Sequence, residues 1–184
     1  MKWIPAALIA LLIMPASGEN STTQEKSASS PSKTAEKNPE NIVTLQAEGN
    51  TQTINISPED SELKFYAESS KLHVDAACEL SSKDKKTNAS IVIQGRGKGK
   101  DTYQGAVSIA DSQSLASLSH NGTLYSFTEG TIHLEQFDKA TGIARIKVSG
   151  KCTIKVGSSF KGMKLDVPAT LELYVKTPNI RTFK

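Results

Sequence analysis

The sequence predicts an all-β fold, an antiparallel two-sheet β-sandwich with a closed β-barrel as its alternative, carrying one or two short helical turns. Three observations predict it. From Gly130 to Val156 the chain reads as one long hairpin. Its second arm puts Ala144, Ile146, Val148, Cys152, Ile154 and Val156 on one parity and Arg145, Lys147, Ser149, Lys151, Thr153 and Lys155 on the other, the pattern of a strand with one dry face and one basic face. Elsewhere the chain breaks into short alternating runs joined by turn signals, roughly seven to ten strands with little helical periodicity. Two cysteines, one early and one late, are in phase with apolar neighbours and are placed to tie two sheets together.

Residues 1–18 read as a secretory signal: Lys2 gives a positive start, Trp3 to Met14 an apolar run, and Ala16-Ser17-Gly18 a small-residue cleavage site. The run is shorter than the roughly 20 residues that span a bilayer. No cysteine follows the cleavage site to carry a lipid. Residues 19–41 hold Ser, Thr, Glu, Lys, Asn, Ala and Pro, with no aromatic and no aliphatic side chain larger than alanine. Such a segment cannot bury enough apolar surface to offset its ordering entropy, so a flexible linker is expected. Residues 42–184 are then a single domain, exported to the periplasm or the extracellular space, with no later segment able to span a membrane.

Within the domain, Ile42 to Ala47 and Thr53 to Ile56 are short strands around a turn at Glu48-Gly49-Asn50. Ser57-Pro58-Glu59-Asp60 has the chemistry of a helix start, so one helical turn is expected before a strand through Leu63 and Phe65. Lys71 to Leu80 and Ala89 to Gln94 are strands joined by the polar turn Ser81 to Asn88. Gly95 to Asp101 is glycine-rich, but its spacing is not that of a phosphate loop and no helix pattern follows, so it reads as a hairpin loop. Tyr103 to Ile109 returns as a strand, Asp111 to Ser119 reads as a short helical turn or loop, and Leu124 to Phe127 is brief β structure. The long hairpin turns at Asp138-Lys139-Ala140-Thr141-Gly142, where Asp can bond its own backbone and Gly can take a positive φ. Gly150 falls midway along its dry face and would let the strand bulge or bend. Leu165 to Val175 is the last strand, ended by Pro178.

Cys78 is in phase with Leu72, Val74 and Ala76, and Cys152 with Ile154 and Val156. In an oxidising compartment a buried disulfide between them is the economical reading, stabilising by about 4 kcal/mol in the chain-entropy model; two buried free thiols are the alternative. Two cysteines and the scattered His73, His120 and His133 show no paired ligand spacing, so no metal and no cofactor are expected. No H-E-x-x-H or G-x-S-x-G pattern occurs, and the histidines have no nucleophile elbow or carboxylate motif beside them. The chain therefore reads as non-enzymatic.

Charge is unevenly spread. Residues 139–184 hold ten Lys or Arg against two Asp or Glu, a balance of +8, while residues 42–138 hold eight against thirteen, a balance of −5. Arg145, Lys147, Lys151 and Lys155 would line the outer face of the long strand and could meet an anionic glycan, an anionic membrane surface or an envelope protein. The plainer reading is a solvated face whose lysines deter edge pairing. No aromatics interleave with these residues and the compartment is wrong, so nucleic acid is not expected.

Thr102-Tyr103-Gln104-Gly105, Gly130-Thr131-Ile132-His133-Leu134, Phe137-Asp138, Gly142-Ile143-Ala144 and Ser149-Gly150 together resemble a family of small exported bacterial proteins of unknown function, mostly surface lipoproteins. The resemblance covers about a third of the chain and implies a β-sandwich without bringing an active site. Separately, Asn121-Gly122-Thr123-Leu124-Tyr125 is similar to the S-G-x-x-Y loop of membrane-bound and periplasmic lysozyme inhibitors, with Asn in place of Ser. That likeness implies a contact loop through Asn121, Gly122 and Tyr125. The sequence thus points to a non-enzymatic envelope binding module, for an anionic ligand or, alternatively, as an inhibitor or accessory protein of a secreted enzyme.

Overall fold

The turn chemistry of the long hairpin holds in detail. Asp138 accepts from Ala140 N and from the Thr141 hydroxyl, both at 2.9 Å. Its carbonyl accepts from Gly142 N at 3.0 Å, and Gly142 has φ 68°. A Cβ on Gly142 would lie 2.2 Å from the Thr177 carbonyl oxygen, so this position requires glycine twice over.

A computed structural model describes residues 41–157 and 162–184. In them eleven strands and one helical turn follow in chain order: β1 (Ile42–Ala47), β2 (Asn50–Asn55), β3 (Glu62–Tyr66), β4 (Ala76–Ser81), β5 (Thr87–Ile93), β6 (Thr102–Ser108), α1 (Ile109–Ser112), β7 (Leu115–His120), β8 (Thr123–Asp138), β9 (Ile143–Val156), β10 (Lys164–Lys176) and β11 (Ile180–Phe183). The expected signal at 1–18 and linker at 19–41 lie outside the described residues, except for Asn41. Asn41 is already part of the domain, since its carbonyl accepts from Ile56 N and its side chain from Lys176 N.

The all-β expectation holds, but the strands do not separate into two sheets. Hydrogen bonding runs unbroken along β11-β3-β4-β5-β7-β8-β9-β10-β1-β2, with β6 added on β8. The sheet curls into a half-barrel; β11 and β2 end the path and do not pair, so no closed barrel forms. The reason lies in β8 and β9, of 16 and 14 residues. Along its first part β8 pairs with β7 (Thr123 to Ser126), and along its second with β6 (Thr131 to Asp138), so one strand serves both halves of the curl.

Gly130 and Gly150 face each other at the change of neighbour. A Cβ on Gly150 would lie 2.1 Å from the Glu129 carbonyl oxygen, and one on Gly130 would lie 2.2 Å from that of Ser149. The two backbones therefore touch where side chains would hold them apart, the close approach that a glycine on the dry face allows. Residues 128 and 135 are extra in β8, so its inward side runs Phe127, then Ile132 and Leu134, then Phe137. Each bulge flips the parity, which is why this arm shows no single alternation in the sequence.

The curl brings distant strands together over one core. Phe65 of β3 lies 5.2 Å from Phe137 of β8, centroid to centroid, and 6.3 Å from Tyr103 of β6. Three strands, β4, β5 and β7, separate β3 from β8 along the sheet, so this contact is made across the curl. Burying two phenylalanines in one such cluster contributes several kcal/mol.

Four local expectations are corrected. The turn at 57–61 is a single hydrogen-bonded turn, with Asp60 N bonded to Ser57 O, and does not become helical. The strand carrying Cys78 starts at Ala76 rather than Lys71. Leu115 to Ser119 is strand β7; the helical turn sits earlier, capped by Ser108, whose hydroxyl accepts from Asp111 N at 3.3 Å. Val156 is exposed at the end of β9 although its parity is inward. Strand β11 had no signal in four residues after a proline; it pairs in parallel with β3 because Asn179 O accepts from Leu63 N at 3.0 Å.

Candidate functional site

The register of β9 decides what its basic face can do. Arg145, Lys147, Lys151 and Lys155 do lie on its outer side, away from Ala144, Ile146, Val148, Cys152 and Ile154. However, Lys147 stands opposite Glu172 of β10 and bonds its Oε1 at 2.5 Å, and Lys151 bonds Glu129 Oε1 of β8 at 2.5 Å. Each carboxylate raises the pKa of its lysine, chiefly through the hydrogen bond. The Arg145 guanidinium lies 4.5 Å over the Tyr174 ring. The stripe is thus interleaved with acids by cross-strand pairing, a relation one strand's sequence cannot display. Arg145 Nε is nevertheless buried without a hydrogen-bond partner among the described residues, in a shallow hollow of about 260 Å³ that Glu135, Glu172 and Tyr174 also line.

The Asn121-Gly122 loop is first of all a turn. His120 and Thr123 pair across it, and Asn121 (φ 48°) and Gly122 (φ 78°) both take the left-handed conformation of a two-residue hairpin. Tyr125 lies further along β8, partly buried against the core. Asn121 and Tyr125 are brought together only as part of a larger wall.

That wall belongs to a groove of about 740 Å³ on the open side of the half-barrel. On one side stand Gln52, Thr53, Ile54 and Asn55 of β2; on the other stand the β4–β5 turn and the tip of the β7–β8 hairpin, with Thr87, His120, Asn121 and Tyr125. At one end the chain leaving β2 is stitched to β4 by Ser57 N donating to Ser81 O at 2.9 Å. The far wall is fixed by its own bonds. His120 Nδ1 lies 2.7 Å from the Thr87 hydroxyl, and Asn121 Nδ2 lies 2.8 Å from His120 Nε2. With Asn121 donating to Nε2, Nδ1 carries the ring proton and donates to Thr87, so both nitrogens are engaged. On the near wall, Gln52 Oε1 is buried and has no hydrogen-bond donor among the described residues. The sequence reading missed Gln52 because it started this strand at Thr53; the turn is tighter, so β2 begins at Asn50.

The two cysteines face the common core as expected, but as free thiols, and the bridge is not formed. Cys78 sits between Leu63 and Ile91 in the sheet and Cys152 between Phe127 and Val167, on strands separated by β5, β7 and β8. Burial pushes both thiols up in pKa, which makes them poor nucleophiles. The glycine-rich loop is held structurally. Asp75, buried at 5 % exposure, accepts from the backbone N of Arg96 at 2.6 Å and of Gly97 at 3.0 Å, while Lys98 donates to the carbonyls of Ser70 and Leu72. His73 and His133 are exposed. Among the described residues no group of three or more His, Cys, Asp or Glu is placed to hold a metal ion, and no helix is long and apolar enough to cross a membrane.

No protein-family model, curated protein or solved structure matches this chain.

Proposed function

We propose that the chain is an exported, non-enzymatic binding module of the cell envelope that takes its ligand in the groove beside β2. One observation carries this reading: Gln52 Oε1 is buried at the groove wall with no donor among the described residues. Leaving a buried acceptor unmet costs about 1–3 kcal/mol, which a ligand donating to it recovers. The remaining wall carries hydroxyls, amides and one aromatic ring beside one charge of each sign, Lys83 and Asp84 of the β4–β5 turn, a lining that suits a hydrogen-bonding ligand of no net charge. The engaged nitrogens of His120 fit a wall that holds rather than one that moves protons. An inhibitor-like partner would touch this same wall through Asn121 and Tyr125.

The test is a ¹⁵N spectrum of the domain titrated separately with a library of uncharged heptapeptides and with a panel of neutral oligosaccharides. Saturable shifts of the Gln52 and Asn121 side-chain amides are expected with members of one set. Silence at both amides in both titrations overturns the reading.

A second reading is favoured by the unpartnered Arg145 Nε: an anionic glycan or membrane surface meeting the outer face of β9. Tighter retention of the wild type on heparin than on a matched sulfonate exchanger, lost in a Lys147→Glu, Lys151→Glu, Lys155→Glu variant, would establish it. Equal behaviour on both columns would remove it.

A further inference from the structure

The curled sheet leaves three strand edges unpaired among the described residues: β2, β6 and β11. An open edge presents N–H and C=O groups that can template another strand, and proteins ordinarily guard it with charge, proline, a bulge or a cover. Two of the three are guarded. On β6 the Arg96 guanidinium covers the edge, with Nη1 3.5 Å from Ala106 O and Nη2 bonded to Gln104 O. β11 is four residues long and carries Arg181.

β2 has none of these devices. Its six residues, Asn-Thr-Gln-Thr-Ile-Asn, contain no charge and no proline, and its register with β1 is continuous from Ile42 opposite Asn55 to Ala47 opposite Asn50. The turn fixes which groups face outward. Glu48 (φ 52°) and Gly49 (φ 75°) form a two-residue hairpin loop, so Ala47 and Asn50 are a hydrogen-bonded pair. Alternation then turns the backbone of Gln52 and Ile54 toward β1 and that of Thr51, Thr53 and Asn55 toward the open side. Ile56 N donating to Asn41 O at 2.8 Å confirms the alternation beyond the strand end. The bare edge at Thr53 and Asn55 also opens into the groove, with Gln52 Oε1 beside it.

We propose that the ligand of this groove is an extended, uncharged polypeptide segment that adds a strand to the open edge of β2, its backbone pairing with Thr51, Thr53 and Asn55. The inference rests on the groove being the binding site. Main-chain pairing supplies the affinity, and the far wall at His120, Asn121 and Tyr125 reads side chains on the inward side. A strand rises about 3.3 Å per residue, so a segment paired along the five residues from Thr51 to Asn55 covers about 16 Å. The edge itself carries no charge, and the groove lining holds one charge of each sign, Lys83 and Asp84, so a segment without net charge matches the site.

The experiment uses the whole domain and a positional-scanning library of N-acetylated, C-amidated heptapeptides containing no Lys, Arg, Asp or Glu. The best binder is expected to slow amide exchange at Thr51, Thr53 and Asn55 by about tenfold or more, and N-methylation of its residue facing Thr53 to weaken binding about tenfold or more, the loss expected for one unmet backbone group. Thr53→Pro removes an outward N–H and no ladder bond, so binding should be lost with the thermal midpoint nearly kept. Peptide binding without protection of these amides, or indifferent to N-methylation, overturns strand addition while leaving the groove as the site. Binding of neutral oligosaccharides with no peptide binding does the same. No groove shifts with any probe overturns both.

Discussion

The outer face of β9 and the groove beside β2 are both polar surfaces, and they differ in how far the fold satisfies its own groups. On β9, Lys147 and Lys151 each find a carboxylate on a neighbouring strand, and Arg145 lies against Tyr174. Beside β2, a buried glutamine oxygen and a row of edge backbone groups have no partner among the described residues. Each surface keeps one buried side-chain atom unmet, Arg145 Nε on the first and Gln52 Oε1 on the second, and the second adds a row of open edge backbone groups. A solvated ion pair gains or loses little when a ligand arrives, whereas an unmet buried acceptor gains directly. The segregation of charge along the sequence therefore overstates the segregation in space, since Glu129 from the acidic part lies beside Lys151 from the basic part.

The substitution with the largest expected effect removes both surfaces at once. Gly150→Ala forces a methyl to 2.1 Å from a carbonyl oxygen at the contact of β8 and β9. A loss of about 3 kcal/mol or more in urea unfolding is expected; a loss below about 1 kcal/mol would mean that the close approach is not needed for the curl. Next comes the core beneath both surfaces. Burial pushes the Tyr103 phenol up to about 12, and its hydroxyl lies 3.1 Å from the carbonyls of Asp75 and Gly97. The folded state holds this proton more tightly than the unfolded chain, where the phenol titrates near 10. Its contribution is thus complete below pH about 10 and is lost as pH rises toward 12. Tyr103→Phe should flatten that alkaline slope, read from thermal midpoints across the range, and a slope unchanged by the substitution would assign the loss to another group.

Smaller effects separate the two surfaces. Gly49→Ala adds left-handed strain at the turn that sets the register of β2, with open space around the new methyl; about 1–2 kcal/mol is expected, without loss of fold. Lys147→Ala removes an exposed pair and should leave the urea midpoint where it was. A clear drop there would show that the β9 face is a structural network, and the contrast with the groove would lose its force.

Much of this fold is visible in residue order where one strand can speak for itself. The inward parity of β9 from Ala144 to Ile154 and the Asp138 to Gly142 turn follow from local chemistry. What escaped was decided between strands. The bulges at 128 and 135 hid the inward side of β8, pairing with Glu172 and Glu129 altered the meaning of the basic stripe, and β11 forms only because Asn179 aligns it on β3. Continuity of hydrogen bonding through β8 and β9 likewise turned an expected pair of sheets into one curled sheet. The Asn121 to Tyr125 segment was noticed for its motif, but Gln52 on the opposite wall lay just outside the strand expected from Thr53 to Ile56. A half-site is legible from a motif; its opposite half depends on which strand the fold carries across from it.

The most direct measurement is residue-resolved amide hydrogen exchange along β2 in the ligand-free domain. Fast exchange at Thr51, Thr53 and Asn55, alternating with slow exchange at Gln52 and Ile54, is the expected result, because only the second set donates into the β1 ladder. Protection at all five positions would contradict it: the edge would already be covered, and the groove would have no strand to receive.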